Sequence, residues 1–166
     1  FDREYSIALN EKNGRDAASS ILTTVRVENN AQLAIAPYYY FTASIYKGEC
    51  TSSRVALMTA KSSDTSLYFA EINGEQVWKL VENEFSITNQ YELPILSGMK
   101  ITVQKEEDGF SLKDITVDQE EIDKEKEYSI LLTDTTRSIL EKTIPGCRIK
   151  QLQDMTLSSA WTAFME

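Results

Sequence analysis

Hydrophobic and polar positions alternate most clearly in the second half of the chain. Met99, Ile101 and Val103 alternate with Lys100, Thr102 and Gln104, the two-residue period of a half-buried strand running from Ser97 to Val103. The acidic stretch Glu106-Glu107-Asp108-Gly109 predicts a tight reversal, with Asp108-Gly109 supplying positive φ. Phe110 and Leu112 continue the alternation, but Ile115 and Val117 fall on the opposite phase, so a bulge is expected at Lys113-Asp114. A charged loop over 118–127 leads to Tyr128–Asp134, read as the third strand of an antiparallel meander.

Upstream, Tyr5, Ile7 and Leu9 mark an entry strand or linker, with residues 1–16 set apart from a domain at 17–166. Ala18, Ile21, Leu22 and Val25 stand at i, i+3, i+4 and i+7, the stripe of a helix laid on a core and ended by Asn29-Asn30. Leu33-Ala34-Ile35-Ala36 reads as a strand buried on both faces. Pro37 must stop it, because proline donates nothing to a ladder. Thr51 or Ser52 can cap a short helix through Val55, Leu57 and Met58. Leu67–Ile72 is a strand, and Val77, Leu80 and Val81 form a helix face with Trp78 off the stripe. Residues 83–92 read as a loop pinned by Phe85, Ile87 and Tyr91. Thr135–Lys142 reads as helix, broken by Pro145-Gly146. Asp154 is placed as the cap of a last helix carrying Leu157, Ala160, Trp161 and Phe164. The class is therefore α+β: mixed β-sheets with an antiparallel meander, covered by helices.

Charge and composition remove several functions. The net charge of −9 disfavours nucleic acid and anionic membrane surfaces as partners, since both demand clustered Lys and Arg. No run of about 18 apolar residues predicts direct membrane insertion. The chain has no histidine, which excludes histidine bases, Ser-His-Asp triads and histidine metal sites. No cofactor is expected in this chain: the six glycines form neither a dinucleotide nor a Walker motif, and no EF-hand loop occurs. The start at Phe1, with neither an initiator Met nor a secretion signal, suggests a processed protein or a piece of a longer one.

Some residues carry two readings. The cluster Tyr38-Tyr39-Tyr40-Phe41 can stack on a ligand or pack on neighbouring elements, packing being the plainer reading. Arg54 and Arg137 can bind a phosphate or carboxylate, or form surface ion pairs. Cys50 and Cys147 permit one bridge without arguing for it.

The order of several short motifs resembles the C-terminal domain of the 5′-nucleotidase/UDP-sugar hydrolase family. Ile72-Asn73-Gly74-Glu75 leading to Leu80-Val81-Glu82 is similar to that family's strand-to-helix entry. Ser97-Gly98-Met99-Lys100-Ile101-Thr102-Val103 resembles its Ser-Gly strand. The spacing Asp123, Lys126, Tyr128 is kept from its Asp-Pro-x-Lys-x-Tyr run, and Ala43–Thr51 is similar to the loop after its Gly-rich Arg motif. The substrate motifs are not kept. The family's substrate-contacting Arg falls on Thr42, within Pro37–Thr42. Its base-stacking loop falls near Ser62–Ser66, and its second aromatic with Gly-Gly-Asp-Gly near Thr135–Thr143, without an aromatic at either place.

The resemblance implies a non-catalytic binding or scaffold module of a larger extracytoplasmic protein, the family's catalytic metals and histidines lying in a separate N-terminal domain. Its partners would be a nucleotide-like small molecule or another domain of the parent. Positions placed to touch such a ligand are Tyr38, Tyr40, Phe41 and Thr42, with Thr135 and Arg137. The alternative is a divergent substrate domain of a metal-dependent nucleotidase in which Tyr38, Tyr40 or Phe41 replaces the lost rings. A third reading is an interaction domain that uses the acidic 118–127 loop.

Overall fold

A computed structural model describes residues 4–8, 14–41, 48–51, 66–87, 93–107, 109–157 and 159–160. The short helix expected through Val55, Leu57 and Met58, together with Thr42, Arg54, Tyr91, Trp161 and Phe164, lies outside the described residues, and Thr51, one of its two candidate caps, ends a strand instead. Strand β1 (Glu4–Ala8) pairs antiparallel with β3 (Gly48–Thr51). Between them come helix α1 (Gly14–Glu28) and β2 (Leu33–Ala36). Then follow β4 (Ser66–Asn73), α2 (Gly74–Ile87), β5 (Ile95–Ser97), β6 (Lys100–Glu106), β7 (Gly109–Val117) and β8 (Glu120–Glu121). The chain continues with β9 (Glu127–Thr133), α3 (Asp134–Thr143) and β10 (Ile149–Thr156).

The core is a five-stranded mixed sheet in the order β10-β4-β9-β2-β5, in which only β2 and β9 run parallel. Alternate residues of its central strands leave for opposite faces. Ala34, Ala36 and Leu131 join Ile21, Leu22 and Val25 of α1 on one side. Leu33, Ile35, Ile130 and Leu132 join Val77, Leu80 and Val81 of α2 and Leu140 of α3 on the other. Both faces are covered, which explains the continuous apolar run in β2. Each fully buried Ile or Leu contributes about 1.5–3 kcal/mol relative to exposure.

The Lys113-Asp114 bulge is present. Thr102 pairs with Asp114 and Val103 with Leu112, so Lys113 is the extra residue. The reversal lies where the acidic stretch placed it, with Glu106 opposite Gly109.

Four expectations change. Ser97 and Val103 do not share a strand: Gly98, at φ 78, turns the chain between β5 in the large sheet and β6 in the three-stranded sheet β6-β7-β8. The third meander strand is the short β8, while Tyr128–Thr133 becomes the centre of the large sheet. Helix α2 runs on to Ile87, so 83–87 is not a loop and Glu84 extends the buried stripe of Val77, Leu80 and Val81. Asp154 lies in strand β10 rather than at a helix start. The helical turn beyond is capped by Thr156, whose Oγ1 accepts from the Ser159 amide at 3.1 Å.

The motifs that carried the resemblance prove to be joints of the scaffold. Asn73 and Gln76 form a reciprocal capping box on α2: the Gln76 amide donates to Asn73 Oδ1 at 2.9 Å, and the Asn73 amide donates to Gln76 Oε1 at 3.0 Å. The next two free amides, of Gly74 and Glu75, donate to the carbonyls of Lys126 and Lys124 at 3.0 and 3.1 Å. The loop supplying those carbonyls is itself tied. The Asp123 amide donates to the Tyr128 hydroxyl at 3.1 Å, and Asp123 Oδ1 accepts from the Glu125 amide at 2.9 Å. Ser97 Oγ lies 2.8 Å from both Thr23 Oγ1 and Arg26 Nε, joining β5 to α1.

Candidate functional site

Because β2 and β9 are parallel, both deliver their C-terminal ends to the same end of the sheet, together with the start of β4. Of the predicted ligand positions, the described ones, Tyr38, Tyr40, Phe41, Thr135 and Arg137, lie at that end in three arrangements, while Thr42 lies outside the described residues.

Beyond β2, Pro37 opens a 3-10 turn over Tyr38–Tyr40. Tyr40 and Phe41 point into the core at 8% and 5% exposure, packed with the apolar face of α1. The Tyr40 hydroxyl lies 3.0 Å from Thr135 Oγ1, so these two predicted positions do meet. Tyr38 is separate from them. The Arg15 guanidinium lies 5.1 Å from its ring centroid while donating to the Leu93 and Pro94 carbonyls at 3.0 and 3.1 Å.

Arg137 belongs to the third arrangement. Its guanidinium lies 4.9 Å from the centroid of Tyr68, and its NH1 bonds Glu141 Oε1 at 2.8 Å. The phosphate or carboxylate reading and the ion-pair reading of this residue thus meet an existing pair, with the Arg137 side chain still 30% exposed. Its Nε is buried and has no hydrogen-bond partner among the described residues. Tyr68 donates to the Asp134 carboxylate. That bond, with burial and the Asp134 charge, holds the phenol above its ordinary range, against the opposing pull of Arg137 and Ser66.

Sequence reasoning missed Tyr68, Asp134 and Arg15 as members of these arrangements. Tyr68 carried a signal, since it occupies the same edge of β4 as the start of α3, but that edge is defined only by the pairing of Leu67 with Thr133.

Below this end of the sheet, Glu84 is buried between α2 and α3. Burial pushes its carboxyl up, while a hydrogen bond from Thr136 pulls the other way. Cys147 carries a free thiol, also raised by burial. Among the described residues, no three Cys, Asp or Glu side chains converge in a group able to hold a metal ion. No helix among them is long and apolar enough to cross a membrane.

Comparison with known proteins agrees with this architecture. The 5′-nucleotidase precursor from Thermus thermophilus superposes with a TM-score of 0.77 at 14% identity, covering 98% of this chain and 36% of its own. The NAD nucleotidase of Haemophilus influenzae gives 0.79 at 14% identity, with 98% and 35% covered. The Thermus thermophilus sulfate thiohydrolase, solved with glycerol, gives 0.69 at 12% identity, with 98% and 32% covered. The chain thus spans about a third of the length of these structures, and at such identities the likeness concerns the fold. No curated protein sequence matches the chain. The sequence profile of the 5′-nucleotidase, C-terminal domain, matches residues 4–138. The chain belongs to the 5′-nucleotidase C-terminal domain family.

Proposed function

We propose that this chain is a non-catalytic binding or scaffold module of a larger extracytoplasmic, nucleotidase-like protein, and that it no longer sandwiches a nucleobase. The observation that carries this reading is the commitment of the rings at the sheet end. Tyr40 and Phe41 are buried in the core, and Tyr38 and Tyr68 lie against arginines. A base stacked between two rings gains about 1–3 kcal/mol per stack. Rings already covered on one face by protein contribute at most one face. The joints retained around Gly74, Ser97-Gly98 and Asp123–Tyr128 serve the scaffold and need no nucleotide. Calorimetric titration with adenosine, AMP, NAD and UDP-glucose is expected to give no binding tighter than millimolar. Micromolar binding of any of the four overturns the reading.

A second reading is favoured by the buried, unbonded Nε and partial exposure of Arg137 beside Tyr68. Here the domain holds the phosphate of a nucleotide-like ligand for a metal-dependent hydrolase whose catalytic domain lies outside this sequence. Micromolar AMP binding that is lost in Arg137→Ala selects this reading.

A further inference from the structure

Strand β6 is an edge of the three-stranded sheet β6-β7-β8, and no strand among the described residues pairs with its outer side. Alternate residues of an antiparallel strand turn their N–H and C=O groups away from the paired side, so this edge carries a row of open ladder groups. The other edges of the two larger sheets are poorer templates. β5 has three residues and β8 two, and the ladder of β10 shifts register between Leu152 and Thr156. β6 offers seven consecutive residues, Lys100–Glu106, and the extra residue of the bulge, Lys113, sits in β7 rather than in β6.

The two faces of β6 differ. Ile101 and Val103 are half-buried and, with Phe85, Leu93 and Leu96, line a groove of about 390 Å³. Thr102 and Gln104 on the other face are exposed, as are Lys100 and Glu106 at the two ends. Charge on an edge strand commonly keeps foreign strands away. Here the end charges are opposite in sign, and neither Lys100 nor Glu106 forms an ion pair among the described residues. Read antiparallel about Val103, the strand complements itself. Lys100 falls opposite Glu106 at both ends, Thr102 falls opposite Gln104, and Ile101 falls opposite Lys105, whose methylene stem covers it. A parallel, in-register pairing would instead set lysine on lysine and glutamate on glutamate.

We propose that β6 is a homotypic docking edge, to which a second copy of this chain adds its own β6 antiparallel across a two-fold axis at Val103. The two three-stranded sheets become one continuous sheet. Ile101 and Val103 of both copies then form a single apolar row, flanked on each side by Leu112 and Ile115 of β7. The open ladder groups supply the attraction, and the paired end charges fix register and reject other strands. Because the contact is isologous, it consumes both edges and stops at the dimer.

Sedimentation equilibrium of the full chain, from about 1 to about 500 μM, tests the docking edge. The wild type is expected to dimerise with a Kd of roughly 10–100 μM, as a small transient interface does. Lys100→Glu and Glu106→Lys each place like charges opposite one another at both ends, and each is expected to weaken association about tenfold or more. An equimolar mixture of these two variants restores opposite charges at both ends and is expected to associate like the wild type, as is the double variant. Both positions are exposed, so the variants are expected to keep the wild-type circular dichroism spectrum. Alternate β6 amides of the wild type should also gain hydrogen-exchange protection as concentration rises. A wild type that stays monomeric throughout, a dimer indifferent to both single variants, a mixture that fails to recover, or β6 amides indifferent to concentration overturns the proposal.

Discussion

The hydroxyls of Tyr40 and Thr135 lie 3.0 Å apart across 95 residues of sequence. This contact fastens the turn after β2 to the first turn of α3 at the sheet end. Tyr40→Phe keeps the buried ring and removes the bond, so a loss of about 1 kcal/mol in denaturant unfolding is expected. Tyr40→Ala also removes the ring from the core and is expected to cost about 3–5 kcal/mol. Similar stability of the two variants would mean that the ring is not packed as described.

Gly74 and Gly98 occupy positions that no side chain fits. A Cβ at Gly74 would strike the Asp123 carbonyl oxygen, and one at Gly98 would strike the Gln32 carbonyl oxygen. Gly98 also sits at φ 78. Each obstacle is backbone and cannot swing aside. Gly74→Ala and Gly98→Ala are each expected to lose about 2–3 kcal/mol in chemical unfolding, with Gly146→Ala, which meets no atom within 4 Å, losing less.

The Tyr68 phenol is expected to titrate above the ordinary tyrosine value of 10.0. Its main restraint is the bond to Asp134, so Asp134→Asn should bring the phenol down, and Arg137→Ala should move it further up. NMR titration of ring-labelled tyrosine reads both shifts. A folded value raised above the unfolded one gives stability that is present below the unfolded value and lost as pH rises through the folded one. The alkaline loss of stability that Tyr68 contributes should therefore be smaller in Asp134→Asn than in the wild type.

Glu84 gives the same sign at lower pH. Its folded carboxyl titrates above the unfolded one, so its stabilising share is full below the ordinary carboxylate range and is lost as pH climbs through the raised value. Thermal melts should show the wild type losing stability from about pH 5 towards neutrality relative to Glu84→Gln. A wild type whose stability relative to Glu84→Gln stays constant or rises over that range would contradict this sign.

The elements that could be read from sequence are those whose signals are local. The stripe of Ala18, Ile21, Leu22 and Val25, the apolar run before Pro37, and the phase slip at Lys113 all mark their own structure. What went unread depended on partners. Tyr128–Thr133 has the pattern of a buried strand in any sheet, and nothing nearby specifies pairing with Leu33–Ile35. In β10, Ile149, Leu152 and Met155 recur every third residue, which hides a two-residue period. A register shift between Leu152 and Thr156 lets Leu152 and Met155 reach the same core. Glu84 was overlooked because a loop was expected to begin at Asn83, although it stands four residues after Leu80 on the same stripe. At the sheet end, residue types suggested candidates, but only the fold sets Arg15 over Tyr38 and Arg137 over Tyr68.

The central place of β9 decides the order in which the molecule can assemble. Its neighbours β4 and β2 both precede it in the chain, yet they do not touch each other in the sheet. Until residues 127–133 are available, β4 has no partner in this sheet and the β2-β5 pair stands apart from it, each with a raw apolar edge of the kind that pairs with other chains. Closure across so much sequence is slow. A nascent or truncated chain ending before Glu127 would thus be sticky rather than half folded, and the segment from Glu127 onward acts as the keystone of everything before it.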